Sequence, residues 1–225
     1  MAKKKKKRVF KVKNIIILLS IILGIAFLIY YALILPIKNI YISGNEFVSD
    51  NEIMTLSTLD KYPSFLLTKS SDIKKKIEKN PYIQSVKVKK KLGNIIELKI
   101  QEKMPICLIG EQVLLENGST LNNTYNLSDI PTLTNDIEDK KTKEKFAKKF
   151  ATVDRNILRQ ISEIEYQPVE VDKERFLLYM NDGNLVYISL TKISNLNKYN
   201  QIKDKLENHL AIIYLDSGNY AEMRK

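Results

Sequence analysis

Residues 85–101 read SVKVKKKLGNIIELKIQ, and this stretch predicts a β-hairpin. Apolar residues alternate with charged or polar ones in both halves, which is the period of a strand with one buried face. The alternating apolar residues are Val86, Val88, Ile96, Leu98 and Ile100. They share one face only if the loop has an odd number of residues, so we expect a turn over residues 92–94. This register sets Lys89 opposite Glu97, a favourable pair, and Lys87 opposite Lys99, a repulsion that solvent must screen.

A strand, a turn and a capped helix are predicted farther upstream. Residues 37–43 contain Ile40 and Ile42 on one face of a strand, and the Gly44-Asn45 pair ends it as a turn. Ser49 and Glu52 then have the spacing of a capping box, in which the serine hydroxyl and the glutamate bond to free backbone amides. A short helix is therefore expected over about residues 50–59.

A second helix is predicted between this one and the hairpin. Ile73 and Ile77 lie four residues apart behind Ser71, which predicts an inward face over residues 72–79. The Asn80-Pro81 pair ends that helix, because the residue before a proline avoids the helical region. Together these elements predict a β-α-α-β-β module over about residues 37–103.

An uncharged apolar segment precedes the module. Residues 15–35 read IIILLSIILGIAFLIYYALIL, and in a helix they span roughly 30 Å, about one hydrocarbon core. We interpret the segment as a transmembrane helix. A cleaved signal peptide has a shorter apolar region followed by small residues at its cleavage site, whereas Tyr30, Tyr31 and Pro36 stand at this end.

Basic residues are concentrated before the apolar segment. The formal net charge is +11, and eight of the 37 lysines and arginines lie in residues 1–14, which contain no acidic residue. Because basic residues beside a membrane helix stay in the cytoplasm, we expect a cytoplasmic amino terminus. The rest of the chain is nearly balanced, with 29 basic against 26 acidic residues, which argues against nucleic-acid binding.

The remaining residues, 104–225, are predicted to be mostly β. Asn117-Gly118 and Asp182-Gly183 both lie between apolar runs, and such pairs favour type I′ hairpin turns. The second turn would pair Tyr179 with Val186, Leu177 with Ile188 and Leu178 with Tyr187. Both faces of this hairpin are apolar, which predicts a central, covered position in a sheet.

Two helices are expected to interrupt these strands. The first lies within residues 136–160 and the second over residues 191–209. The first contains or borders apolar residues at helical spacing, namely Phe146, Phe150, Val153, Ile157 and Ile161.

The sequence AIIYLDSGNYAEMRK, residues 211–225, predicts a terminal hairpin. We expect it to turn at Ser217-Gly218 and to set Leu215 opposite Tyr220. Its second strand has no predicted strand after it, so its outer amides and carbonyls are expected to be open to a partner.

Residues with catalytic potential have ordinary structural explanations. The only histidine, His209, lies near the end of a predicted helix, where a cation is favoured. The only cysteine, Cys107, lies in the apolar strand ICLI, and Glu163 with Glu165 fit a solvated strand face. G-x-S-x-G and glycine-rich phosphate loops are absent from the sequence. We therefore predict no catalytic residue, no metal, no cofactor and no small-molecule substrate.

The order of tail, anchor, module and β-rich region resembles the FtsQ/DivIB family of bacterial cell-division proteins. The module resembles the POTRA domain of that family in residues 37–53, IKNIYISGNEFVSDNEI, and in residues 77–109, IEKNPYIQSVKVKKKLGNIIELKIQEKMPICLI. Matching positions there include Asn80 to Ile83, Glu102 and Pro105. The β-rich region resembles the family's β domain at VLLENGSTL, IPTLT and YNQIKDKLENHLAIIYLDSGNYAEM.

The resemblance implies an α+β architecture with four parts. These are a basic cytoplasmic tail (1–14), a transmembrane helix (15–35), a POTRA domain (36–103) and a mostly antiparallel β domain with two helices (104–225). It also implies a bitopic divisome scaffold without enzymatic activity, with its carboxyl-terminal domains outside the cytoplasm and concentrated at the division septum.

The same resemblance implies the partners and the surface that binds them. In the family the outer domains bind the FtsB/DivIC-type and FtsL-type membrane proteins, and the complex controls the septal peptidoglycan synthase. A partner segment adds to the terminal strand of the β domain. Carried over onto this sequence, that surface comprises Tyr214, Leu215, Ser217, Gly218, Asn219, Tyr220, Ala221 and Met223.

Three other classes of protein are alternatives. A membrane-anchored cell-wall hydrolase or sortase-like enzyme is disfavoured because neither His209 nor Cys107 has suitable neighbours in the sequence. An outer-membrane assembly factor would need a following barrel of many strands, and the chain is too short for one. A general adhesion or structural protein would be spread evenly over the cell surface.

Overall fold

A 23-residue helix, α1 (Val12–Ile34), opens the described part of the chain. The structure, a computed structural model, describes residues 12–207 and 209–224, so most of the predicted basic tail lies outside the described residues. No side chain of α1 is buried, and the helix is long and apolar enough to cross a membrane. It covers nearly all of the predicted transmembrane segment.

The chain divides into two compact units, Met1–Glu102 and Lys103–Lys225. Beyond α1, the first unit contains β1 (Asn39–Ser43), α2 (Asp50–Ser57), α3 (Ser70–Ile77), β2 (Ile83–Lys91) and β3 (Ile95–Glu102). Its sheet has the order β1-β3-β2, with β1 parallel to β3 and β2 antiparallel to it. The predicted β-α-α-β-β order is confirmed.

The register of the β2–β3 hairpin is the predicted one. Lys91 pairs with Ile95, which leaves residues 92–94 as the loop, and Gly93 and Asn94 both adopt positive φ there. Lys89 faces Glu97 and Lys87 faces Lys99, as expected from the alternation. Four of the five alternating apolar side chains, those of Val86, Ile96, Leu98 and Ile100, are buried.

The first of the two short helices of this unit begins at the predicted serine cap. The Ser49 hydroxyl accepts the Glu52 amide at 3.2 Å, the serine half of the predicted capping box, and the Glu52 carboxylate accepts a bond from the Asn80 side chain at 2.9 Å. The second helix starts at Ser70, slightly earlier than predicted, and buries Ile73 and Ile77 as expected.

One carboxylate holds the connection between β1 and α2. The Glu102 side chain accepts backbone N–H groups from Glu46, Phe47 and Val48 at 2.9 to 3.3 Å, so it satisfies three amides that no strand or helix uses. Just before them Gly44 has φ +84°, and a Cβ there would lie 2.4 Å from the Ile100 carbonyl oxygen. The turn therefore requires glycine.

The second unit is built on a nine-stranded sheet in the described residues, with the order β12-β11-β10-β9-β8-β7-β4-β5-β6. Its first strands are β4 (Pro105–Ile109), β5 (Gln112–Leu115), β6 (Thr120–Asn122) and β7 (Thr132–Leu133). After α4 (Lys140–Phe150) and α5 (Arg155–Leu158) come β8 (Ile161–Tyr166), β9 (Arg175–Met180) and β10 (Leu185–Ser189). A helical segment including α6 (Tyr199–Lys203) then leads to β11 (Ala211–Tyr214) and β12 (Tyr220–Met223).

One face of this sheet is covered by the helices. Phe146 and Phe150 of α4 pack on Phe176 of β9, with ring centroids 4.9 and 6.0 Å from it. Five of the eight strand pairs are antiparallel, in agreement with the predicted mostly antiparallel domain. The β9–β10 hairpin is central in the sheet, as expected.

The two predicted type I′ turns are wrong. Val186 pairs with Leu178 and Ile188 with Phe176, one residue out of the expected register. In each predicted pair only the glycine, Gly118 or Gly183, has positive φ, whereas a type I′ turn needs positive φ at both residues. Each hairpin has a three-residue loop ending in the glycine, and the preceding Asn or Asp side chain accepts the amide two residues on, at 3.1 and 3.2 Å.

The two predicted helices of this unit are also corrected. The first is two helices, α4 and α5, because Asp154 caps a new helix by accepting the Asn156 amide at 3.0 Å. The second is mainly 3₁₀ helix, Leu190–Lys198 and Asp204–Leu206, around the short α6. Buried residues recur there every third position, namely Leu190, Ile193, Leu196 and Tyr199, and a repeat of three matches the 3₁₀ turn.

Candidate partner-binding site

The last described strand, β12, lies at one edge of the nine-stranded sheet. It pairs antiparallel with β11, and within the described residues no strand occupies its other side. All four β12 residues are exposed. An edge strand of this kind offers unpaired backbone groups to another chain.

The pairing fixes which backbone groups point outward. Just after β12 the Arg224 amide donates to the Leu210 carbonyl at 2.7 Å, and bonded pairs alternate along an antiparallel ladder. The backbone groups of Tyr220 and Glu222 therefore form the hydrogen bonds to β11. Ala221 and Met223 direct their amide and carbonyl groups to the open side.

The predicted turn of this hairpin is wrong by one residue. Tyr220 lies opposite Tyr214 and not opposite Leu215. The positive φ of the turn, +53°, falls on Asn219 and not on Gly218. Leu215 is only 1% exposed and its amide donates to the Tyr187 carbonyl at 2.8 Å, so it belongs to the core and not to the surface.

Three tyrosines form a stacked row on one face of the sheet end. Tyr187 of β10, Tyr214 of β11 and Tyr220 of β12 are consecutive partners in the register. Their ring centroids are 5.3 and 4.7 Å apart, and the ring planes differ by 18° and 17°. Burial first, and then the nearby Glu222 carboxylate, raises the pKa of Tyr214, so its hydroxyl stays protonated and donates to Glu222 Oε2 at 3.4 Å.

An arginine packs on the ring of Tyr187, at the inner end of this row. The Arg175 guanidinium lies 3.9 Å from the Tyr187 ring centroid, and its Nε donates to Asp216 Oδ2 at 2.7 Å. The two charged side chains are only 18% and 10% exposed. Sequence reasoning missed Arg175 and Tyr187 as part of the site, because Arg175 lies 41 residues before its partner Asp216 in the chain.

The β11–β12 turn is tied to the preceding 3₁₀ helix. Lys192 Nζ donates to the Asp216 carbonyl at 2.6 Å, and the Asn195 side chain donates to Asn219 Oδ1 at 3.2 Å. Ser217 and Gly218 are exposed at the tip. A Cβ at Gly218 would lie 3.1 Å from the Tyr220 ring, so glycine here leaves room for that ring.

The other two predicted contact residues lie on the opposite face of β12. Ala221 pairs with Ile213 and Met223 with Ala211, both on the core side of β11. Ala221 and Met223 are nevertheless exposed, because the core ends before the edge strand. A partner strand would therefore contact the tyrosine row on one face of β12 and the exposed side chains of Ala221 and Met223 on the other.

The residues considered for catalysis occupy structural positions. Cys107 is buried, and burial raises the pKa of its thiol to about 12, which keeps it protonated. His209 Nδ1 lies 3.0 Å from the Leu206 carbonyl oxygen. Glu165 accepts the Tyr179 hydroxyl at 2.8 Å on the outer sheet face. Within residues 12–207 and 209–224 no group of three or more His, Cys, Asp or Glu side chains could hold a metal.

Comparison with known proteins gives the family. Residues 35–103 match the POTRA domain of FtsQ type. The chain is 34% identical over 204 residues to the cell division protein DivIB of Bacillus anthracis, covering 87% of this chain and 75% of that protein. It is 31% identical over 193 residues to DivIB of Bacillus subtilis, covering 83% and 73%. The chain belongs to the DivIB family.

A solved structure is also similar in part. The major extracytoplasmic domain of the trans isomer of DivIB from Geobacillus stearothermophilus covers 48% of this chain and 96% of its own, with 25% identity and a TM-score of 0.40. Membership of the DivIB family makes the chain a cell-division protein, and the resemblance seen in the sequence is confirmed.

Proposed function

We propose that this DivIB-family protein is a non-enzymatic, single-pass scaffold of the divisome that binds FtsB/DivIC-type and FtsL-type membrane proteins. Through them it helps to control the septal peptidoglycan synthase. The observation that carries the proposal is the open edge of β12, with outward backbone groups at Ala221 and Met223.

Strand addition is the mode of binding that this edge favours. A partner segment in extended conformation pairs its backbone with Ala221 and Met223, and these hydrogen bonds supply affinity without regard to sequence. Side chains of the partner then alternate between the Tyr214 and Tyr220 face and the Met223 face. That alternation supplies specificity for an apolar or aromatic residue at every second partner position.

The proposed topology rests on α1 and the basic residues before it. The tail remains in the cytoplasm, α1 crosses the membrane, and both units lie outside, where the FtsB/DivIC-type and FtsL-type proteins present their own outer segments. A fluorescently tagged copy is expected to gather at the division septum. An even distribution around the cell would favour the general structural alternative.

A proline substitution tests strand addition directly. Ala221→Pro removes an outward N–H, and an edge strand tolerates proline where that group faces solvent. The full-length protein carrying this change should keep its fold and lose at least about tenfold in affinity for the FtsB/DivIC-type partner.

The matched control lies at the other edge of the same sheet. The amide of Leu115 donates to the Ser119 carbonyl, so by the same alternation Thr120 of β6 also directs its amide outward. Thr120→Pro should bind the partner normally. Equal binding by both variants, with both folded by circular dichroism, would place the partner elsewhere.

A further inference from the structure

Large apolar side chains are exposed at one end of the first unit. Leu92 at the tip of the β2–β3 hairpin is 97% exposed, and Leu66 and Leu67 in the loop between α2 and α3 are 53% and 64% exposed. Tyr62 in the same loop is also exposed. Two separate loops thus present apolar tips, which in water is unfavourable.

Both loops are bonded to the end of α1. The Ser64 hydroxyl donates to the Leu33 carbonyl at 2.5 Å, and the Phe65 amide donates to the Leu35 carbonyl at 2.9 Å. From the hairpin, the Asn94 side chain donates to the Pro36 carbonyl at 3.0 Å. Each exposed leucine is therefore close in sequence to a residue that bonds to the end of α1. Leu66 and Leu67 follow Phe65 directly, and Leu92 lies two residues before Asn94.

Lys90 holds the backbone on both sides of Leu66 and Leu67. Its ammonium group donates to the carbonyls of Phe65 and, at 2.7 Å, Thr68, and it lies 4.5 Å from the Phe65 ring centroid. Lys90 belongs to β2, so this contact ties the 62–68 loop to the hairpin. The two loops that carry the apolar tips are thus bonded to each other and to residues 33–36 at the end of α1.

We propose that Leu66, Leu67 and Leu92 insert into the outer interface of the membrane that α1 spans. An apolar surface at the level where a transmembrane helix ends meets the boundary of headgroups and acyl chains, where such side chains are favoured. Exposed lysines flank the tips at positions 38, 61, 69 and 91, which suits anionic lipid headgroups. The first unit is thereby fixed to the bilayer at three points: α1, the 62–68 loop and the hairpin tip.

This inference rests on the proposed membrane anchor, so the experiment must separate the two. The full-length protein is reconstituted in bilayers of phosphatidylcholine and phosphatidylglycerol and labelled with a nitroxide at single introduced cysteines. Labels at Leu67→Cys and Leu92→Cys test the inserted tips, and Gly24→Cys in the middle of α1 tests the anchor. Cys107 is fully buried and does not take the label.

The control label is Asn51→Cys, at the exposed start of α2 beyond the far end of β1. Accessibility to oxygen and to a water-soluble nickel chelate should place the labels at 67 and 92 roughly 5–10 Å below the phosphates, and the label at 51 in water. In a Leu66→Ser, Leu67→Ser background the label at 92 should move to the accessibility of position 51.

Three results would overturn the inference. Labels at 67 and 92 as open to the nickel chelate as the label at 51, with Gly24 embedded, would reject insertion and leave the anchor intact. A water-exposed Gly24 label would reject the anchor and the insertion together. Dipolar broadening between labels at 92 would assign this surface to contacts between two copies of the chain.

Discussion

The ring of Tyr220 stacks on the ring of Tyr214, with centroids 4.7 Å apart and planes 17° from parallel. The two residues face each other across the last strand pair, and Tyr187 continues the row on the next strand. Little apolar core lies under β12, so this row supplies the side-chain packing that keeps the edge strand on the sheet. The same tyrosines are exposed enough to contact an added strand.

Tyr220→Ala should weaken capture of the FtsB/DivIC-type partner by at least about tenfold, because exposed aromatic side chains at an interface carry a large share of the binding energy. The free energy of unfolding should fall by no more than about 1 kcal/mol, since the ring is half exposed. Surface plasmon resonance and urea denaturation measure the two quantities. Tyr41→Ala, a comparably exposed tyrosine of the first unit, is the control and should change neither; equal affinities for the two variants would exclude Tyr220 from the interface.

Asp216→Ala should lower the free energy of unfolding by roughly 2 kcal/mol, because it leaves the Arg175 guanidinium largely buried without its carboxylate. Urea denaturation followed by near-ultraviolet circular dichroism measures the loss. Asp129→Ala, at an exposed position, should be nearly neutral. In the Asp216→Ala, Arg175→Met double variant the loss should be smaller than the sum of the single losses, and strict additivity would contradict the coupling.

The sequence predicted the β2–β3 hairpin to the residue because two independent constraints agree there. Alternation on both strands requires Val86 and Ile100 to share a face, and a turn at residues 92–94 meets that requirement. The three hairpins that were predicted in the second unit lacked the second constraint. Both faces of β9 and β10 are apolar, so a one-residue slip moves no charged side chain into the core and the alternation alone does not reject it.

Other features were missed, either because a local pattern was not recognised or because the residues involved lie far apart in the sequence. The repeat of three from Leu190 to Tyr199 was present in the sequence and indicates the 3₁₀ helix, but the prediction gave only one helix over residues 191–209. The ion pair of Arg175 with Asp216 and the tyrosine row join strands far apart in the chain, and no local pattern specifies them. The open edge was predicted, whereas its outward groups at Ala221 and Met223 required the register.

Glu102→Ala should destabilise the first unit by about 1–3 kcal/mol, because three backbone amides at residues 46–48 lose a charged acceptor. Glu102→Gln retains one acceptor oxygen and should fall between Ala and the natural residue. Hydrogen exchange of those three amides, read with urea denaturation, reports the effect locally. Glu111→Gln, exposed in the second unit, should leave them protected, and unchanged exchange in Glu102→Ala would contradict the role given to this carboxylate.

Tyr199→Phe should flatten the loss of stability at alkaline pH. The buried Tyr199 hydroxyl lies 2.8 Å from both Asp182 oxygens, and burial, then the Asp182 carboxylate, raise its pKa above the ordinary value of 10.0. As pH rises, the unfolded chain therefore releases this proton before the folded chain does. The contribution of the Tyr199 hydroxyl to the free energy of unfolding is complete below about pH 10 and is lost as pH rises above that value. Urea denaturation from neutral pH to about pH 11 should give a shallower decline for Tyr199→Phe than for the exposed control Tyr41→Phe. Equal slopes would show that Tyr199 ionises alike in the folded and unfolded chain.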